Sequence, residues 1–173
     1  SIGLIKNLTS KRDVEYATAS FGQGIALTPL STVRALSTLG NGGTLITPHL
    51  VKQIKYKIGV TKDISVPIGK QVIATSTSAE ITRMLVTVVD KALLGGKLKM
   101  PHYSIAAKTG TAQIAKIGGG GYDADRFLHS FFGYFPASDP KFLVFIYQLE
   151  PQNVQYASQT LAEPFSDIAK FLI

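Results

Sequence analysis

One four-residue stretch of this sequence combines side chains that could support acyl transfer on a substrate with a carboxylate. It reads Lys108-Thr109-Gly110-Thr111. In an extended chain, Thr109 and Thr111 point to one side of the strand, and Lys108 and Gly110 to the other. Two hydroxyls on one side can bind a carboxylate, and an exposed backbone N–H can donate to a developing oxyanion. The lysine adds positive field, and the glycine admits a neighbouring backbone or substrate closely.

Three strand patterns define the surroundings of this stretch. They cover Ser104–Ala115, Phe127–Phe135 and Lys141–Leu149. The segment 136–140 between the second and third patterns is too short for a crossover helix, so these two strands must form an antiparallel hairpin. Both strands of the hairpin are apolar on both faces, which indicates that the sheet is covered on both sides. The first strand, with Lys108–Thr111, is expected at an edge.

Helices are predicted on either side of these strands. Thr28 is a candidate N-cap with Pro29 in the first turn, and the glycines within 40–43 end that helix. A second helix is expected to start at Thr77, because Thr77 and Glu80 form a capping-box pattern.

A last helix is predicted within Gln159–Leu172, and Pro164 favours a start near Glu163. Residues 1–24 are expected to be irregular, and short strands are expected at Thr44–Val51 and Gln53–Ile58. The resulting fold class is α+β, with an antiparallel β-sheet sandwiched between helices.

Composition fits a globular domain. The chain has 173 residues, of which 45% are hydrophobic, enough for one domain with a core. The sequence has no apolar run of about 18 residues, as a membrane-spanning helix requires. It begins at Ser1 without a signal-peptide pattern. We therefore expect a piece of a longer protein or a processed product, with any membrane anchor upstream.

Charge and metal-ligating residues narrow the possible partners. The formal net charge is +7, which could attract nucleic acid or an anionic lipid surface. The basic residues are dispersed and accompany no nucleic-acid-binding motif, so a solvated surface is the better interpretation and no nucleic acid is expected. The sequence has no cysteine, and His49, His102 and His129 lie far apart. Neither a metal site nor a cofactor is therefore expected.

The sequence from Lys108 to Gln113, KTGTAQ, resembles the third active-site motif of class B penicillin-binding transpeptidases. An Ile-Ala-Ala strand precedes it and the glycine run 118–121 follows it, as in that family. Further stretches are similar to the family in the same order: 20–30, 41–43 with Pro48, 129–136, 139–141 and 150–151. Residues 1–173 are thus identified as the C-terminal portion of one penicillin-binding transpeptidase domain.

The resemblance implies a penicillin-binding-protein/β-lactamase-like fold and a peptidoglycan D,D-transpeptidase that works through a serine acyl-enzyme. It assigns Lys108 and Thr111 to catalysis, and Thr109, Gly110 and Thr111 to substrate binding. The two threonines would bind the terminal carboxylate of a D-Ala-D-Ala stem peptide or of a β-lactam, and the Thr111 N–H would help form the oxyanion hole. Lys108 would face the nucleophile. The expected location is the extracytoplasmic face of the bacterial cytoplasmic membrane.

Two motifs of that family have no credible match in this chain. The only S-x-x-K match, Ser138–Lys141, falls in the predicted hairpin turn, where Pro140 prevents the helical geometry that the motif needs. No S-x-N triplet occurs. The nucleophile is therefore expected upstream, in the remainder of the same domain, and this chain alone is expected to be inactive. An alternative is a non-catalytic relative that binds cell-wall peptides or partners.

Overall fold

The computed structural model describes residues 3–173 and is built around a three-stranded sheet. The helices are α1 (Asp13–Ser20), α2 (Pro29–Gly40), α3 (Thr75–Thr87) and α4 (Ala157–Leu172). The strands are β1 (Thr44–Leu45), β2 (Gln53–Lys55), β3 (Thr61–Asp63), β4 (Lys70–Gln71), β5 (Ala106–Ala115), β6 (Tyr122–Phe135) and β7 (Phe142–Leu149). No helix in this part of the chain is both long and apolar enough to cross a membrane.

The main sheet is antiparallel in the order β5-β6-β7. The predicted hairpin is confirmed, since β6 and β7 pair from Leu128↔Leu149 to Phe135↔Phe142. The strand β5 pairs with β6 and has no second partner among the strands described. The stretch Lys108–Thr111 therefore lies on an edge strand, as the sequence predicted.

Helix α4 covers one face of the sheet. Its Phe165 is 1% exposed and stacks on Phe131, with ring centroids 4.4 Å apart. Phe165 also meets Phe135 edge to face at 6.2 Å. A Cβ atom on Gly133 would lie 2.4 Å from Cζ of Phe165, so this glycine makes room for the ring. The apolar cluster on this face has these buried members: Val89, Leu93, Leu98, Ile105, Ala107, Phe131, Phe135, Leu161, Ala162, Phe165 and Ala169.

Helices α2 and α3 cover one end of the opposite face, over Tyr134. The Tyr134 hydroxyl lies 2.8 Å from Oγ1 of Thr82 and 3.3 Å from the Leu39 carbonyl oxygen, so it connects both helices to β6. Burial raises the pKa of Tyr134. Because helices pack on both faces, the predicted sandwich is confirmed.

Predicted helix starts were partly wrong. Helix α2 begins at Pro29, and Oγ1 of Thr28 accepts the Ser31 N–H, as expected for the N-cap. Helix α3 begins at Thr75, not Thr77. The Glu80 carboxylate accepts two hydrogen bonds from Arg83, at 2.9 and 2.6 Å. The guanidinium one turn later thus binds the carboxylate that the capping box would have used.

The start of α4 was also predicted wrongly, because the helix runs through Pro164. Proline lacks the N–H that would bond the Thr160 carbonyl. Pro164 is exposed, while Leu161 and Phe165 beside it are buried against the sheet, so packing of the apolar face holds the helix together through the proline.

The first residues and the short strands differ from the predictions as well. Within 3–24 the chain forms a 3₁₀ turn at Lys6–Thr9 and then α1, so it is not irregular; residues 1–2 lie outside the described residues. The two short strands end early. Pro48 cannot donate to a ladder beyond β1, and a turn at Gly59 follows β2.

Candidate functional site

The register of β5 separates the four residues of the predicted site onto two faces, as expected. Ala107 belongs to the cluster under α4, and Ala106 to the cluster under α2 and α3. Because side chains alternate along a strand, Thr109 and Thr111 share the α4 face with Ala107. Lys108 and Gly110 lie on the other face. Alternate residues of an edge strand also present their N–H and C=O groups to the free edge.

Lys108 is exposed at the start of the site. Its Nζ donates to the Thr109 carbonyl oxygen at 2.9 Å, so the ammonium lies against its own strand. This contact is exposed to water, so the ammonium can exchange it for a substrate or a neighbouring acid. The cation can therefore act on groups that approach the edge.

Thr111 is exposed but its hydroxyl oxygen is already engaged. Oγ1 accepts the backbone N–H of Ala157 at 3.0 Å, where α4 begins. The Thr111 proton remains available for donation, since a hydroxyl carries one proton and two lone pairs. Thr109 is half-buried beside it. Two hydroxyls on one side of an edge strand can donate together to a carboxylate.

Sequence reasoning missed the contact between Thr111 and Ala157. The two residues are 46 positions apart. The backbone of an alanine carries no pattern that predicts a partner, so no local signal could have found this hydrogen bond.

Gly110 faces Ser130 of the neighbouring strand. A Cβ atom at Gly110 would lie 2.6 Å from Oγ of Ser130, closer than real Cβ atoms come to oxygen. The sequence predicted that a backbone or a substrate would come close to Gly110; in this structure the group that comes close is the Ser130 side chain. Substrate binding by Gly110 stays a prediction.

Replacing Gly110 with alanine should destabilise the protein by about 1 kcal/mol, the low end of the cost of overpacking, because the Ser130 hydroxyl that it meets can rotate away. The double variant Gly110→Ala/Ser130→Ala should recover most of that loss, because the Ser130 Cβ lies 4.0 Å from the new methyl group. Urea unfolding of the two single variants and the double variant checks this. Equal instability of the double variant and Gly110→Ala would show that another atom causes the crowding.

A polar cavity of about 690 Å³ adjoins the far end of the sheet. It is lined by residues 124–127 of β6 and by the loop 150–155 that leads to α4. Arg126 binds the carboxylate of Glu150 and lies 3.7 Å from Asp123. The hydrogen bond from Arg126 lowers the pKa of Glu150.

Within residues 3–173, no three or more His, Cys, Asp or Glu side chains are grouped so that they could hold a metal ion.

Ser138 lies in the turn between β6 and β7, as the sequence predicted. The Lys141 ammonium contacts Asp139 at 2.7 Å. The turn follows Phe135 at the end of the sheet where Ala106 pairs with Tyr134, whereas Thr111 pairs with His129 further along. Ser138–Lys141 therefore lacks the helix on which an S-x-x-K motif presents its serine.

Comparison with known proteins identifies one family. The family model for the penicillin binding protein transpeptidase domain matches residues 1–170. The chain is 37% identical over 164 residues to stage V sporulation protein D of Bacillus subtilis, which covers 94% of this chain and 25% of that protein. It is 30% identical over 162 residues to a probable peptidoglycan D,D-transpeptidase, PenA, of Neisseria meningitidis, again over 94% of this chain and 26% of that protein.

Solved structures show the same likeness. Penicillin binding protein 3 of Mycobacterium tuberculosis superposes with a TM-score of 0.87 at 26% identity, over 99% of this chain and 40% of that one. The same protein has been solved in complex with ampicillin, also with a TM-score of 0.87, 26% identity and the same coverage. Measured against the sporulation protein and PenA, this chain spans about a quarter of the length of its curated relatives.

Proposed function

Because this chain belongs to the family of penicillin-binding protein transpeptidase domains, we propose that it supplies one side of the active site of a peptidoglycan D,D-transpeptidase. The observation that carries the proposal is the position of Lys108–Thr111. These residues lie on an edge strand, with two hydroxyls on one face and a solvent-exposed ammonium on the other. A carboxylate-bearing peptide can reach all three groups from the free edge.

Three residues of this stretch, Lys108, Thr109 and Thr111, have a proposed chemical role, and Gly110 is proposed to contact the bound substrate. Thr109 and Thr111 bind the terminal carboxylate of a D-Ala-D-Ala stem peptide or of a β-lactam by donating their hydroxyl protons. The Thr111 N–H stabilises the oxyanion that forms on the attacked carbonyl. Lys108 stabilises negative charge near the nucleophile. The ampicillin complex of the related mycobacterial protein supports a β-lactam as a ligand of this site.

The attacking serine is proposed to lie in the remainder of the same domain, upstream of residues 1–173. That longer protein is called the parent protein. Its serine Oγ attacks the penultimate D-Ala carbonyl of the stem peptide, terminal D-Ala leaves as the amine, and an ester remains. An amine of a neighbouring stem peptide then displaces the serine and forms the cross-link.

Because this substrate belongs to the cell wall, we place the site at the extracytoplasmic face of the cytoplasmic membrane, with the anchor outside this chain.

Exposed apolar side chains on β7 support the proposal that another segment of the domain packs against this face of the sheet. Tyr147 is 50% exposed and Leu149 64% exposed, both on the Lys108 face of the sheet beyond α2 and α3. Tyr147 stacks on Phe145, which is half-buried on the same face. Contiguous apolar surface of this kind marks a contact with another segment or partner. The upstream remainder of the domain is the partner that the proposal assigns to it.

Labelled penicillin should acylate the parent protein and leave this chain unlabelled, since the chain lacks the nucleophile. Gel fluorescence followed by peptide mass mapping measures both outcomes. The parent protein with Ser138→Ala is the matched control and should be labelled as fast as the unmutated protein. An adduct on Ser138 would contradict the assignment of the nucleophile. A parent protein that folds but is never labelled would favour the non-catalytic alternative.

A further inference from the structure

His129 is the fully buried histidine of β6 and lies directly across the ladder from Thr111. Its Nε2 lies 3.0 Å from the carbonyl oxygen of Gln155, just before α4 begins. Its Nδ1 lies 2.9 Å from Oγ1 of Thr160, in the first turn of α4. One imidazole ring therefore ties both sides of the helix start to the central strand.

The partners of His129 decide how its ring is protonated. A carbonyl oxygen only accepts, so Nε2 must carry a proton and donate to Gln155. The Thr160 hydroxyl carries one proton, and it has two acceptors within reach, His129 Nδ1 at 2.9 Å and the Ala157 carbonyl oxygen at 3.3 Å. Donation to the nearer Nδ1 pairs both ring nitrogens, as a buried polar group requires.

The backbone N–H of Ala157 lies between these two anchor points and donates to Thr111 at 3.0 Å. The first N–H groups of a helix have no partner within the helix, and here a strand residue binds one of them. The preceding N–H, of Tyr156, is also bound, since it donates to Oε1 of Gln159 at 3.3 Å. Ala157 itself is fully buried. The helix start is therefore fixed by hydrogen bonds on both sides of Ala157.

We propose that His129 is a positioning residue for carboxylate recognition, because it holds the start of α4 where the Ala157 N–H occupies the Thr111 oxygen and leaves the Thr111 proton to donate to the ligand. This inference rests on the proposed function. With its oxygen held by an N–H donor, the Thr111 hydroxyl is organised for an anionic acceptor before the ligand arrives. The positive end of the α4 dipole points at the same hydroxyl and favours an anion there.

The parent protein provides the test, with benzylpenicillin and its neutral methyl ester as the two probes. The ester carries the same β-lactam ring without the carboxylate. The second-order rate constant of acylation is measured with each probe for the unmutated protein, His129→Phe, His129→Gln and Thr160→Val. His49→Phe is the matched control, because His49 is exposed on a loop.

We expect His129→Phe to slow acylation by benzylpenicillin about tenfold, as for the loss of a hydrogen bond to a charged group, and to leave the rate with the ester within about twofold. Discrimination between acid and ester should therefore fall. His129→Gln should restore part of it, since its amide N–H can donate to Gln155. Thr160→Val removes one contact only, so it should give a smaller loss of the same kind and remain informative if His129→Phe does not fold.

Different outcomes separate this inference from the proposed function. If the rates with acid and ester fall by the same factor in both Thr160→Val and the folded His129 variants, the histidine is only structural and the inference is overturned. If the rates with both probes stay as in the unmutated protein, the inference is overturned as well. If neither probe acylates the unmutated parent protein, the proposed function fails and this inference fails with it.

Discussion

Replacing Lys108 with alanine in the parent protein should slow acylation by labelled penicillin about a hundred- to a thousandfold, the range seen when one stabilising donor is removed from an acyl-transfer site. The ammonium stands on the face of β5 opposite Thr109 and Thr111, at the edge where the ligand is proposed to lie. Its loss removes positive potential where the reaction develops negative charge. The second-order rate constant of acylation measures the effect.

The fold should be unaffected by this change. Lys108 is exposed, and its hydrogen bond goes to the carbonyl of the next residue. Surface substitutions of this kind change stability by less than about 0.5 kcal/mol. Lys116→Ala is the matched control, because Lys116 is an exposed lysine just beyond the end of β5. An unchanged acylation rate in Lys108→Ala with normal unfolding would remove Lys108 from the mechanism.

Replacing Phe165 with alanine should destabilise the protein by about 3–5 kcal/mol, the usual loss for a buried phenylalanine. The ring is 1% exposed and packs against Phe131 and Phe135. It also lies directly over Gly133, where no side chain can move in to fill the space. A large cavity therefore remains under α4, and the free energy of urea unfolding of the parent protein should show it.

Phe171→Ala on the same helix is the control for this prediction. Phe171 is 87% exposed, so its loss should cost less than about 0.5 kcal/mol. Similar losses for Phe165→Ala and Phe171→Ala would mean that the packing of α4 on the sheet is not the main source of stability. Because α4 also provides the Ala157 N–H, a loosened helix should disturb Thr111 as well.

The sequence was sufficient for the parts of the site that depend on neighbouring residues. Alternation along a strand placed Lys108 and Thr111 on opposite faces, and the short connection between β6 and β7 required a hairpin. These features depend on periodicity and loop length, which are local properties.

Other features depend on contacts between distant residues. The bond from Ala157 to Thr111 and the bridge made by His129 join β5, β6 and α4, and no spacing in the sequence encodes them. Helix α3 begins two residues before the capping-box pattern, and its Glu80 binds Arg83 instead of the backbone. Helix α4 runs through Pro164 because its apolar face packs on the sheet on both sides of the proline. Tertiary packing and competing partners outweighed the local signals.

The edge position of β5 also bears on solubility. An unpaired strand offers its N–H and C=O groups to any other extended chain, which promotes aggregation. A charged side chain and an interrupted ladder both oppose this pairing. Lys108 supplies the charge, and the register of β5 on β6 shifts between Gln113 and Ala115. The lysine that we expect to accelerate acylation therefore also helps to keep copies of the protein from joining edge to edge.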